Sequence, residues 1–151
     1  MKEAFIYPFE KALMDAMYDD TAARNANLLA LVKDDGEEPR IFPNRPVDES
    51  DDFVVLDIPF GGRAAYKHGE DGDAVAHWSR FQASFWSIGK IRSIQGMDAL
   101  IQAIDGRDIV VSDAWGTVRC FAVSDPWSQV DKIAESRMYG TGIRYEVLML
   151  G

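Results

Sequence analysis

The hydrophobic positions near the start of the chain recur with the period of a helix. Residues 3–18 are predicted to form an amphipathic helix, because their apolar side chains fall on one stripe at spacings of one, three and four residues. A second helix is expected over residues 22–32, before the acidic loop around Gly36, and a third from about residue 94 to Gly106. The stripe of the first helix contains Phe5, Phe9, Ala12, Leu13, Ala16 and Met17.

Beyond the second predicted helix, the apolar positions follow the pattern of extended chain. Residues 53–58 are β-branched and apolar, which predicts a strand. Residues 77–86 alternate between an apolar face and a polar face, and the polar face carries a tryptophan at each end. Further strands are predicted at residues 109–111, 118–123 and 143–150.

Two segments have the composition of loops. Residues 61–76 bring glycines and acidic residues together and predict a long loop or hairpin tip. In residues 124–141, the pair Asp125-Pro126 could begin a short helix, whereas Gly140 and Gly142 suggest a flexible tip.

The order of these elements predicts the fold class. Helices come first, then strands, one more helix and further strands, which is typical of an α+β fold. We expect a mostly antiparallel sheet with two or three helices packed on one face. The length predicts a single domain over residues 1–151, and 47% hydrophobic with 27% charged residues is ordinary globular composition.

The charge balance narrows the classes of function. Acidic residues number 25 and basic residues 16, so the formal net charge is −9, which disfavours nonspecific binding to duplex DNA. The longest apolar runs are too short to cross a bilayer, and the N-terminus lacks the apolar run of a signal peptide. The single cysteine, Cys120, allows no internal disulfide and is expected to be a small buried hydrophobe.

Few residues suggest catalysis. The two histidines, His68 and His77, lie in no nucleophile motif. The acidic segment between them could bind a divalent cation, although its spacing matches neither an EF-hand nor an HExxH helix; a solvated turn is the alternative. We therefore expect no catalytic, cofactor-binding or metal-binding residues and no enzymatic activity.

The tryptophans are candidates for contact surfaces. Trp78 and Trp86 share the polar face of the strand at 77–86, so they either form an interface or are covered by a helix. Trp127 follows Asp125-Pro126 in a predicted loop and is suggestive in the same way.

Several segments, taken in order, resemble the tail-completion or tail-terminator family of long-tailed bacteriophages and gene transfer agents. The similarity extends over nearly the whole chain and involves structural rather than catalytic motifs. The matching segments are Arg40-Ile41-Phe42-Pro43 with Pro46, Asp52-Phe53-Val54-Val55-Leu56, residues 80–86, Met97 to Asp105, and Tyr139 to Met149.

The resemblance implies a structural virion protein. Members form a ring, expected here to be a hexamer, at the head-proximal end of the tail tube, where the ring stops polymerisation and joins the tail to the head connector. The implied partners are further copies of the chain, the major tail tube protein and a connector or neck protein. Genome DNA would pass through the lumen without specific binding, and no membrane is involved. The implied location is the virion tail, after assembly in the host cytoplasm.

A ring of six copies would carry 6 × −9 = −54 formal charges, so the subunit contacts need complementary cations. The candidate cations, which surface solvation would equally explain, are Arg63, Lys67, Arg80, Lys90, Arg92, Arg137 and Arg144. The docking elements expected are the loops at 61–76 and 125–141. The predicted interface residues are Arg63, Tyr66, Lys67, His68, Trp78, Arg80, Trp127, Arg137 and Tyr139.

Two other functions compete with this one. The first is a different neck protein, such as a head-completion or connector-adaptor ring. The second is a small metal-dependent hydrolase that uses His68, His77 and nearby carboxylates.

Overall fold

A computed structural model describes residues 6–46, 48–49, 51–58, 65–68, 74–133 and 135–150. Within these residues the helices are α1 (Ile6–Tyr18), α2 (Ala26–Val32) and α3 (Lys90–Ile104), with one 3-10 turn at Ala23–Asn25. The strands are β1 (Ile41–Phe42), β2 (Phe53–Asp57), β3 (Ala65–His68), β4 (Ala74–Ser87), β5 (Arg107–Ser112), β6 (Gly116–Ala122), β7 (Trp127–Ile133) and β8 (Ser136–Met149).

The sheet is built around two long strands, β4 and β8. These antiparallel strands are 14 residues each and pair with one another from Trp78↔Leu148 to Ser87↔Tyr139. The other edge of β4 carries β3 and then β2, and the other edge of β8 carries β7 and then β6. The described strands have the order β1-β2-β4-β8-β6-β5, and only β1 and β2 pair in parallel. The predicted α+β fold with a mostly antiparallel sheet is therefore confirmed.

The main core lies between the sheet and the helices. Alternate side chains of β4 and β8, such as Phe81, Phe85 and Tyr145, point to this side and are fully buried. α3 packs directly on them, and it approaches closely because residue 96 is glycine: a Cβ there would lie 2.1 Å from the Phe85 ring. The predicted periodicities of α1, α3 and β4 therefore identify most of this core. The exception is Ile94, which the sequence pattern places on the buried stripe of α3 but which is 41% exposed.

Asn25 fastens the N-terminal helices to the sheet. It is fully buried, and its Nδ2 donates to the carbonyl oxygens of Ala16 (2.7 Å) and Asp19 (2.9 Å). Its Oδ1 accepts a hydrogen bond from Arg107 at the start of β5 (2.8 Å). A buried amide with these three partners stabilises the position of α1 beside the sheet.

The prediction of a loop or short helix at 124–141 is wrong. These residues contain β7 and the first half of β8, joined as a hairpin. Between Ala122↔Tyr145 and Trp127↔Gly142, the β6–β7 side advances five residues while β8 advances three. The two extra residues form a bulge, which separates β7 from β6 along the same edge of β8.

Candidate interaction surfaces

The face of the sheet opposite the helices has one end that is covered. Trp86 is 3% exposed there and stacks on Phe53, with ring centroids 6.3 Å apart. Ile133 and Met138 of the β7–β8 hairpin complete this second cluster, and Trp127 packs against it. Trp86 is thus buried by residues of a neighbouring strand and of the β7–β8 hairpin, so both predicted alternatives for Trp86, an interface and cover by a helix, are wrong.

Two glycines on β8 make room for the tryptophans. A Cβ at Gly140 would lie 2.6 Å from the Trp86 ring, and one at Gly142 would lie 2.5 Å from the Trp127 ring. Real Cβ atoms do not approach so closely, so these positions need glycine for contact with a ring. Gly140 and Gly142 belong to the paired part of β8 and form no flexible tip.

Arg45 connects Trp86 at the covered end with Asp131 of β7. Its guanidinium lies 5.0 Å from the centroid of the Trp86 ring and forms an ion pair with Asp131 of β7. The hydrogen bond from Arg45 lowers the pKa of Asp131, which also accepts a hydrogen bond from the backbone N–H of Lys132. The segment before β2 is thereby joined to the hairpin after the bulge.

Beside this bridge is an open cleft of about 460 Å³. It lies between residues 43–45, β2, β4 and β7, and its walls combine tryptophan rings with amide, hydroxyl and carboxylate groups. The cleft is large enough for a side chain or small ligand, and its polar groups come from three strands and from the segment before β2. The residues that set its character are Arg45, Asp57, Gln82, Ser84, Trp86 and Trp127.

The other end of the same face, which we call the uncovered end, has no element of the described chain packed over it. It consists of Arg80, Arg119, Phe121, Arg144 and Leu148. Phe121 and Leu148 are each 36% exposed, and Arg80 and Arg119 pair with Glu146 and Asp108 of the neighbouring strands. Arg144 is exposed and has no ion-pair partner among the described residues.

A second exposed surface lies on the helix side, where β4 leads into α3. We call it the isoleucine corner and define it by Asp35, Glu37, Glu38, Ile88 and Ile91. Ile88 and Ile91 are 64% and 73% exposed.

A cleft of about 420 Å³ lies between Ile88, Leu31 of α2 and Asp34 just after α2. Two ion pairs, Arg40–Asp34 at 2.8 Å and Arg92–Asp52, line it. Asp35, Glu37 and Glu38 follow Asp34 on an exposed turn and have no ion-pair partner among the described residues. Six carboxylates, at positions 34, 35, 37, 38, 51 and 52, lie here with four cations, at positions 33, 40, 90 and 92.

The structure distributes the predicted interface residues over both sides of the sheet. Arg80 lies at the uncovered end, and Trp127 begins β7 and is largely covered. The Arg137 guanidinium lies 5.9 Å from the Tyr139 ring, and Tyr139 pairs with Ser87 beside the isoleucine corner. Arg63 and the side chains of Tyr66, Lys67, His68 and Trp78 lie outside the described residues, so their interface roles stay predictions.

Sequence reasoning missed three residues that carry these surfaces. Ile88 and Ile91 lie on either side of Gly89, just before α3 begins. Ile91 is not on the apolar stripe that α3 buries, and this position in the sequence was the signal that it is exposed. Phe121 lies on the predicted strand at 118–123 with the opposite parity to Val118 and Cys120, both fully buried. Parity marks it as a residue of the open face once the buried face is known.

The chemistry of the described residues gives little support to a reaction centre. No group of three His, Cys, Asp or Glu side chains suited to a metal ion occurs among them, and residues 69–73 lie outside them. Burial raises the pKa of the Cys120 thiol to about 12, which leaves it protonated and unreactive. None of the helices in the described ranges has the length and apolar character needed to span a bilayer.

The fold has a counterpart among solved structures. No protein-family model matches the sequence, and no curated protein matches it. A chain in a solved structure described as "Virion of native gene transfer agent (GTA) particle" superposes with a TM-score of 0.61 at 21% sequence identity. The match covers 96% of this chain and 99% of that chain, so the two share a fold over their whole lengths.

Proposed function

We propose that this chain is a structural protein of a phage-type particle that forms a ring at the head-proximal end of a tail tube and terminates it. The observation that carries the proposal is the shared fold, over almost the full length, with a chain of a gene transfer agent virion. The ordered segments that resemble tail-terminator proteins give independent support for the finer role.

The exposed surfaces suit an assembly protein. Ile88 and Ile91 on one side and Phe121 with Leu148 on the other leave apolar groups in solvent next to charged ones. Such patches are typical of protein contact sites. A protein that works alone would have little use for two of them on opposite faces.

The net charge suits a channel for DNA. Each copy has a net charge of −9 and repels phosphates, so a genome passing through the ring would not adhere to it. The same charge opposes assembly unless the contacts between copies pair opposite charges.

Deletion of the gene from a producing genome tests the role. We expect tail tubes of excessive and variable length, without heads, in electron micrographs. Complementation with the wild-type gene should restore normal tails. Free tails of normal length beside filled heads would support a different neck protein instead, and unchanged particles would contradict both roles.

Light scattering tests the ring directly. Six copies of the 16.9 kDa chain would have a mass of about 101 kDa. The mass is measured on the free protein and on protein released from isolated tail tubes. A chain that stays monomeric under both conditions would overturn the ring.

The His77→Ala variant addresses the hydrolase alternative and leaves the predicted interface residue His68 in place. We expect it to assemble and complement like the wild type, because the proposed function uses no imidazole in catalysis. Failure to complement with an intact fold and an intact ring would favour a chemical role for His77.

A further inference from the structure

We infer that neighbouring copies associate by placing the isoleucine corner of one copy against the uncovered end of the next. The inference rests on the proposed function for the existence of a ring and adds which two surfaces form its contact. The kind of partner is therefore a second copy of this chain.

The two surfaces have complementary chemistry. The corner offers the exposed Ile88 in a cleft with Asp34, and the exposed turn that follows Asp34 carries Asp35, Glu37 and Glu38, which have no ion-pair partners among the described residues. The uncovered end offers Phe121 and Leu148 beside Arg144, whose charge is likewise uncompensated. Contact between them would bury apolar groups from both copies and pair free carboxylates with a free guanidinium.

The ion pairs within each surface support the same conclusion about its remaining charge. At the corner, Asp34 and Asp52 are already neutralised by Arg40 and Arg92, which leaves the carboxylates at positions 35, 37, 38 and 51 against the two lysines at 33 and 90, a net negative charge. At the uncovered end, Glu146 and Asp108 are neutralised by Arg80 and Arg119, so the charge left over is positive. Each surface therefore keeps an excess of one sign, and the two signs are opposite.

One copy cannot bring its own two surfaces together. Arg80 belongs to the open face, whereas the corner begins beyond Ser87 on the helix side. Seven strand residues between them span roughly 23 Å. A contact between two different surfaces of identical chains is heterologous, and it produces a closed ring when the rotation between copies closes.

Charge reversal tests the pairing. Glu37→Lys/Glu38→Lys and Arg144→Glu should each shift the species from about 101 kDa to the 16.9 kDa monomer, because each places like charges in the contact. The triple variant that combines them should recover the ring. Glu10→Lys/Asp20→Lys, which makes the same charge change on and just after α1, is the control and should form rings like the wild type.

Crosslinking provides a second measurement that does not depend on a stable ring. The Glu38→Cys/Arg144→Cys chain, treated with a short bis-maleimide, should give a ladder of multimers, while each single-cysteine chain should stay monomeric. Cys120 is buried and does not compete. Dimers from a single cysteine would indicate a symmetric contact and overturn the inference.

The failures of the two proposals are distinguishable. Rings of wild type with no recovery in the triple variant and no ladder would overturn the assigned surfaces and leave the ring intact. A wild type that stays monomeric with tail tubes and gives no ladder would overturn both. Circular dichroism and urea unfolding of every variant separate loss of contact from loss of fold.

Discussion

The covered and uncovered ends of the open sheet face are made from the same two strands, yet only the covered end is buried by other residues of the chain. At the covered end, β4 and β8 carry Trp86, Gly140 and Gly142, and Trp86 clusters with Phe53 of β2 and with Ile133 and Met138 of the β7–β8 hairpin. At the uncovered end the same strands carry Arg80, Glu146 and Leu148, and no described element packs above. The difference shows that a sheet face is not one environment: the side chains present decide which part of it the chain itself buries.

The largest expected effect comes from emptying the covered end. Trp86→Ala should lower the free energy of unfolding by about 3–5 kcal/mol, because it removes a buried ring and leaves a cavity. Phe121→Ala, at the uncovered end, should cost about 1 kcal/mol, since its ring is partly solvated already. Urea denaturation measures both. Similar costs for the two variants would contradict the division into two ends.

Filling the space under a tryptophan should have a smaller effect. Gly142→Ala places a Cβ 2.5 Å from the Trp127 ring, so the ring or the strand must move, at about 1–3 kcal/mol. Intrinsic tryptophan fluorescence should shift as well. In the control Gly106→Ala, the cost should be about 1 kcal/mol, from the positive φ alone, and the fluorescence should not change. An unchanged spectrum in Gly142→Ala would argue against the close contact.

Cys120 and Phe121 are neighbours on β6 that face opposite sides of the sheet. Only the buried Cys120 side chain can ionise, so its contribution to stability depends on pH. Burial raises the pKa of the Cys120 thiol to about 12, above the 9.0 of an ordinary thiol, so the folded state holds the proton more tightly. The resulting stability is complete below pH 9 and is lost as the pH rises towards 12, by about 1.4 kcal/mol per unit.

Unfolding of wild type and Cys120→Ala between pH 9 and 10 measures this. Tyr18 and Tyr145, whose pKa values are also raised by burial, weaken both proteins alike as the pH approaches 10, so the wild type should lose more stability than the variant. Equal slopes would mean that the thiol is reached by solvent.

The smallest effect is expected from removing the contacts that Arg45 makes with Trp86 and Asp131. Arg45→Met should remove a cation–π contact with Trp86, worth about 0.5–1 kcal/mol. The pKa of Asp131 should rise towards its ordinary value, because the hydrogen bond from Arg45 is the main cause of its depression. NMR titration of the carboxyl measures this shift. Arg144→Met serves as the control and should alter neither quantity; an unchanged Asp131 pKa in Arg45→Met would contradict the bridge.

The helix-side half of the fold could be predicted from the sequence. Period and parity identify α1, α3, β2 and β4, because burial on one face imposes them directly. The strand at 107–112 and the strand at 116–122 also lie where short apolar runs predict them.

The β7–β8 hairpin could not be recognised in the same way. Its β7 strand is mostly exposed, so alternation there is weak, and Gly140 and Gly142 have the composition of a turn. Their real requirement comes from Trp86 and Trp127, which are 54 and 15 residues away along the chain. A constraint of that kind is invisible until the strands are aligned.

The candidate surfaces were predicted only in part. Arg80 and Arg144 follow from charge and parity, and both lie at the uncovered end. Ile88 and Ile91 were missed because an apolar residue at the start of a helix is ordinarily assigned to the core. Only their exposure in the folded structure distinguishes them from core residues.

The long pairing of β4 with β8 has a mechanical consequence. Ten consecutive residue pairs join these strands, and they run the length of the sheet. A pull directed along the strands would load their hydrogen bonds simultaneously rather than one after another. A protein built this way would resist a pull along its strands much better than one whose strands could be separated one hydrogen bond at a time from an end.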